Sequence, residues 1–329
     1  MLVGTLAVPA GAVTSAVAGH PAPSAGRLVQ GPREVMWPRN DTHRSAASPG
    51  ANKGPQQLTY HGGLRGRGIQ KHPAVYLVFW GSQWSRTDPY VAYLQRFFRG
   101  LYGRGDDWTS LQREYCGGVE TGAVSCPPAR ARVGRPSTGS VLKGVWFDDS
   151  ALAVPTDLLV ASTKLDSVAA EAARAAAHFG NTTRKKNVDV QYVISEPSHF
   201  NSVGFGYYCG YHAFVDSDYG PLPYVDLPHV TDLGVDCGQN AVNSGAAGTY
   251  DGLSIVAGHE FIEALTDPYP ATGWVDSNGG ENADKCAWLT EGPGAMANLH
   301  LSTGTFAVQG SWSNRAKNGD GGCLMHGAL

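Results

Sequence analysis

Three residues define the chemistry this chain can do: His259, Glu260 and Glu263, in Gly258-His259-Glu260-Phe261-Ile262-Glu263. Four apart on a helix, the His259 and Glu263 side chains share one face, about 5–6 Å apart at Cβ. An imidazole nitrogen and a carboxylate oxygen so placed reach one cation, at about 2.0–2.2 Å each for zinc. A cation held there would polarise a water, and Glu260, next to His259, is the carboxylate at hand that would take its proton. A carboxylate-rich donor set also admits harder cations, calcium or manganese. The bland alternative is a solvated helical face with i,i+4 pairs and no ligand.

The pattern H-E-x-x-E resembles the H-E-x-x-H motif of the zincin metallopeptidases, with Glu in place of the second His. A tetrahedral catalytic zinc takes three protein ligands and a water, so a third ligand is expected downstream. Glu281-Asn282-Ala283-Asp284 offers it, Glu281 lying 18 residues after Glu263. Similarity to the glutamate zincins implies that Glu281 ligates and that Asp284 hydrogen-bonds His259. His212, in Cys209-Gly210-Tyr211-His212, reads in three ways: a fourth ligand, an oxyanion stabiliser, or a satisfied core residue. His229 and Tyr224 are assigned to a loop. Asp216-Ser217-Asp218-Tyr219-Gly220 is either a calcium loop or a plain turn. There is no G-x-S-x-G elbow and no P-loop.

These residues need elements to hold them. Ala74 to Trp80 is a continuous apolar run stopped by Gly81, the pattern of a strand buried on both faces. Pro89 to Tyr102 reads as a helix with Val91, Leu94, Phe97, Phe98 and Leu101 on one face. Strands are expected at Val141 to Phe147, Val188 to Ser195 and Tyr207 to Val215, with an Ala-rich helix from Asp157 to His178. An acidic, Gly/Pro-rich stretch follows. The metal-site helix opens at Asp251 and ends at Thr266, because a helix rarely continues through an Asp-Pro step. After Trp274 the chain is Gly-rich and reads as short hairpins, one over Thr303 to Trp312. The order predicts an α+β fold: a mixed β-sheet with packed helices, a zincin-like active-site helix, Gly-rich C-terminal hairpins and disulfide stabilisation.

Composition sets the compartment and excludes partners. The 329 residues carry 25 Lys+Arg against 28 Asp+Glu, without the basic excess that nucleic-acid binding needs. No apolar run has the roughly 20 residues of a membrane span. Cys116, Cys126, Cys209, Cys237, Cys286 and Cys323 include no C-x-x-C pair; the simplest pairing joins neighbours, and six reduced core cysteines are the alternative. Residues 1–18 are apolar and small, with Ala16-Val17-Ala18 as a signal-peptide cleavage site. Residues 19–56 are rich in Pro, Ala, Gly, Ser and Arg with no apolar period, and read as a disordered linker or pro-segment rather than a packed element. Residues 57–329 then form a single α+β domain, and the protein is expected to be secreted.

Several blocks resemble the EXORDIUM, or phosphate-induced protein, family of secreted plant and microbial proteins. They are Thr59-Tyr60-His61-Gly62-Gly63, Val75 through Gly81, Val190 through Ser195, Tyr208 through His212, His259 through Pro268, and Glu281 through Cys286. The resemblance supports secretion and a cell-wall or signalling setting more than it supports a reaction. Two functions follow as expectations. One is a secreted zinc-dependent metallopeptidase acting on a peptide or protein substrate; the other is a non-catalytic extracellular protein with a structural metal. A third, calcium-stabilised carbohydrate binding to cell-wall components, would use Trp274, Trp288 and Trp312 as stacking platforms.

Overall fold

The structure is a computed structural model that describes residues 28–40, 57–152, 167–200 and 208–327. The expected signal segment, residues 41–56 and the first part of the expected Ala-rich helix lie outside the described residues.

One six-stranded sheet organises the fold. Its strands are β1 (Val29–Met36), β3 (Ala74–Trp80), β4 (Leu142–Asp148), β5 (Val190–Ser195), β6 (Gly210–Ser217) and β7 (Gly220–Leu227). β2 (Thr59–Tyr60) pairs outside it with β8 (Trp274–Val275). The spatial order is β1-β6-β7-β5-β3-β4. β7, β5, β3 and β4 run parallel, and β6 runs antiparallel to both of its neighbours, so the sheet is mixed.

The apolar run of β3 is covered on both faces, as its sequence predicts. Leu77 and Phe79 join one core cluster while Val78 and Trp80 join another. The first cluster contains helices α1 (Pro89–Gly100) and α3 (Asp251–Thr266); the second contains α2 (Ser167–His178). α1 starts where Asp88 accepts the Tyr90 N–H at 2.8 Å and Pro89 supplies its fixed φ. The small alanines of α2 pack against β5, β6 and β7. α3 is buried along its whole length, which suits a helix apolar nearly all round. It stops at the Asp267-Pro268 step, where the Asp267 N–H still bonds Glu263 O at 2.7 Å.

The C-terminal hairpins are β9 (Ala297–Leu301) with β10 (Gly304–Val308), and β11 (Ser311–Ser313) with β12 (Gly322–Leu324). β10 lies against α3, and Ser254 of α3 donates to Ala307 O at 2.6 Å. The cysteines pair as sequence neighbours: Cys116–Cys126, Cys209–Cys237 and Cys286–Cys323. The second bridge anchors the start of β6, and the third ties the turn after Asp284 to β12.

Two readings need correction, and one pair of alternatives is decided. Residues 29–36, expected to lack a packed element, form β1; Gly31-Pro32 interrupts its alternation, and the register slips between Gln30 and Arg33. The acidic stretch contains β7, every residue of which is buried, so Tyr224 lies in a strand and not in a loop. Pro221 and Pro223 are tolerated there because pairing with β5 begins only at Tyr224. The Asp216–Gly220 segment is the β6–β7 hairpin turn, with Asp216 ion-paired to Arg65 at 2.9 Å. Among the described residues no helix is long and apolar enough to cross a membrane.

Candidate metal centre

α3 lies across the sheet beside β6, and that crossing brings the site together. Along β6, Tyr211 and Ala213 face α2, so His212 between them projects toward α3. Close approach of helix and strand depends on Gly210. A Cβ there would lie 2.8 Å from Val256 Cγ1 and 3.2 Å from Glu260 Oε1.

Two groups of donors converge and share Glu263. In the first, His259 Nε2 lies 3.1 Å from Glu263 Oε1 and 3.4 Å from Asp284 Oδ1. In the second, His212 Nδ1 lies 3.3 Å from Glu260 Oε2 and 3.4 Å from Glu263 Oε2. Within each group the ligand atoms lie within 4.8 Å of one another. Glu281 is not part of the His259 group. Its Oε2 sits 3.3 Å from the far nitrogen of His212.

The sequence-derived residues are thus gathered in one place, but with roles redistributed. Asp284, expected to steady His259 from behind, faces the same Nε2 that Glu263 faces. The supporting bond to Nδ1 comes instead from Gln309, whose Oε1 is 3.1 Å away. Gln309 Nε2 donates to Ala283 O at 2.8 Å, which turns its Oε1 toward the histidine. Gln309 thus accepts from a proton on Nδ1, which leaves Nε2 as the nitrogen a metal would take in exchange for its proton. Gln309 lies beyond the last hairpin strand, and no local motif marks it.

Protonation shows how much negative charge is concentrated here. Burial alone would lower the His212 imidazole, but its bonds to Glu260 and Glu263 and their charge raise it to about 10. His259 is likewise raised, chiefly by the Glu263 charge and by Asp284 against the effect of burial. Burial opposes ionisation of Glu263, yet His259 and His212 hold it at about 2. Burial raises Glu260 to about 7 and Asp267 to about 6. Glu281 is pushed well up by burial and by the charges of Asp267 and Glu263. The nearby cation Lys285 is already paired with Asp276 at 2.6 Å.

Sequence reading missed one more carboxyl. Glu34 on β1 stands opposite His212 in register. Burial and the charge of Asp284 raise it to about 8, with His212 acting the other way. The Trp platforms fare poorly. Trp274 and Trp288 are 1% and 7% exposed, and Trp312 is covered by Lys285, whose Nζ lies 4.3 Å over the ring. His229 stacks on Tyr90 at 4.4 Å and bonds Asp232, away from the centre.

The donor set fits a transition-metal ion. His212 Nε2, His259 Nε2, Glu260 Oε1, Glu263 Oε2 and both Glu281 oxygens are buried without a hydrogen bond. Buried imidazole nitrogens and carboxylate oxygens facing one another at 3.1–3.4 Å need either protons or a cation between them. Imidazole with carboxylate suits zinc better than calcium. Set against known proteins, the chain matches no family model, no curated protein and no solved structure.

Proposed function

We propose that this chain is a secreted zinc-dependent peptidase, with His259, Glu263 and Asp284 as metal ligands and Glu260 as general base. The observation that carries this reading is the convergence of His259 Nε2, Glu263 Oε1 and Asp284 Oδ1, with Gln309 accepting from the imidazole Nδ1. Zinc in such a site supplies Lewis acidity toward a water and a carbonyl.

The protein's own groups do the rest. Glu260 follows His259 on α3 and is held by His212 at 3.3 Å. Its carboxyl, raised to about 7, exchanges a proton near neutral pH, as a general base should. His212 stays charged and orients Glu260, while its other nitrogen is braced by Glu281. Three disulfides agree with an oxidising, extracellular setting.

One observation favours a second reading, a non-catalytic extracellular protein with a structural metal, as the EXORDIUM resemblance suggests. Of the three donors His259 and Glu263 are buried and Asp284 is only partly exposed, and structural metal sites are closed. Glu260→Gln separates the two. A peptidase keeps its zinc and loses roughly 10²–10⁴-fold in hydrolysis of a mixed peptide library. A structural site shows no hydrolysis to lose, and hydrolysis unaffected by the substitution removes Glu260 from the mechanism.

A further inference from the structure

The centre is nearly shut, with Asp284 its one partly exposed donor. His212, His259, Glu260, Glu263 and Glu281 are each at most 1% exposed, whereas a catalytic metal keeps one position open. At the sheet edge beside it lies β1, hydrogen-bonded along β6.

The register aims one side chain at the centre. Directly opposed residues of an antiparallel pair project to the same face, and Glu34 is opposite His212. His212 projects toward α3, so Glu34 does too. Two places on, Met36 projects the same way and is buried in the α3-side core. The intervening Val35 and Arg33 take the other face, where the Arg33 guanidinium lies 5.1 Å over the Tyr211 ring.

β1 is a lightly buried edge strand. Of its residues only Met36 is buried, against every residue of β7. Pro32 has no N–H to give, and pairing slips between Gln30 and Arg33. Beyond the strand, Trp37 O accepts from Trp288 Nε1 at 2.8 Å, and the Arg39 N–H bonds Asp236 O at 2.8 Å. Without β1, the β6 edge would present a row of unpaired N–H and C=O groups beside His212, a template for an extended chain.

We infer that the β6 edge is a binding site for an extended peptide, filled here in cis by residues 29–36, with Glu34 as the side chain laid over the metal centre. The inference rests on the metal reading above and extends it. A peptide bound in place of β1 pairs its main chain with β6 and projects the residue opposite His212 toward the centre. An acidic residue at that position imitates Glu34 and binds best. The full chain is then a self-blocked form whose closure comes from its own edge strand.

The test uses the full-length protein, its Glu34→Ala and Glu34→Gln variants, and Val35→Pro, which weakens strand pairing without touching the centre. Zinc is first counted by elemental analysis. Its rate of extraction by a chelator is then followed, together with hydrolysis of a mixed peptide library. We expect zinc to be retained, extraction to quicken at least tenfold in all three variants, and hydrolysis to rise by a similar factor. A synthetic peptide of residues 28–40 added in trans should slow extraction again in the Glu34→Ala protein, and the same peptide with Glu34→Gln should do so less. Extraction rates within twofold of wild type in zinc-loaded variants overturn the inference alone. Absence of zinc from every form overturns the metal reading and this inference with it.

Discussion

Replacing Gln309 with leucine removes a single acceptor from His259 and tests whether the imidazole is held for metal binding. Gln309 Oε1 lies 3.1 Å from His259 Nδ1, while its amide nitrogen donates to Ala283 O at 2.8 Å. Ala283 O keeps a second bond from the Cys286 N–H at 2.9 Å. Gln309→Leu therefore strips the acceptor from the Nδ1–H of a fully buried histidine, and Gly310 O also loses its longer, 3.3 Å bond from the Gln309 amide. Leaving such a donor unpaired costs about 1–3 kcal/mol of stability. Losing a partner behind a metal-bound histidine typically weakens affinity about 10–100-fold, or about 1.4–2.8 kcal/mol. Competition with a chromophoric chelator at neutral pH measures the affinity, and circular dichroism verifies the fold. Gln309→Glu keeps the acceptor and should hold zinc within about tenfold of wild type. A folded Gln309→Leu protein that binds zinc as tightly as wild type would refute the role given to this hydrogen bond.

Two further outcomes follow from the same geometry. Glu260, Asp267, His212 and His259 are all raised in the folded state. The stability they lend is present at low pH and lost as pH rises, for the carboxyls through about 6 to 7 and for the imidazoles from their usual 6.5 upward. Glu263, held at about 2, acts oppositely, its contribution vanishing below the ordinary carboxylate range. The melting temperature without metal should therefore peak near pH 4–5 and fall toward pH 8, and zinc should flatten the fall; a metal-free value rising from pH 5 to 8 contradicts the charge balance described. Removing the Cys209–Cys237 bridge, which spans 28 residues, should cost about 3–4 kcal/mol by chain entropy. Urea unfolding of the Cys209→Ser/Cys237→Ser protein measures this, and an unchanged midpoint would contradict it.

Much of the site was legible because it is local. His259, Glu260 and Glu263 sit on one helix whose ends, Asp251 and Thr266, are marked by an acidic first residue and an Asp-Pro stop. β3 announced itself as an apolar run, and neighbour pairing of the cysteines is the pairing found. What sequence missed is non-local or disguised. β1 hides behind Gly31-Pro32, which breaks the period-2 signal, and so Glu34 went unnoticed. β7 hides behind Pro221 and Pro223, which look like loop residues until the partner strand is known to start later. The exchange between Glu281 and Asp284 could not be read from spacing. Both lie in one short segment, and the turn at Asp284–Cys286, tied by Cys286–Cys323, decides which carboxylate faces His259. Gln309 enters only through the packing of the last hairpins on α3.

The most direct test of the central claim is metal content, measured by elemental analysis on purified, dialysed and folded protein. Wild type should be compared with Glu263→Ala, Asp284→Ala and Glu281→Gln. The expected result is about one zinc per chain in wild type, lost in Glu263→Ala and Asp284→Ala and retained in Glu281→Gln. Folded, metal-competent protein without any transition metal, or zinc that survives Glu263→Ala, contradicts the account.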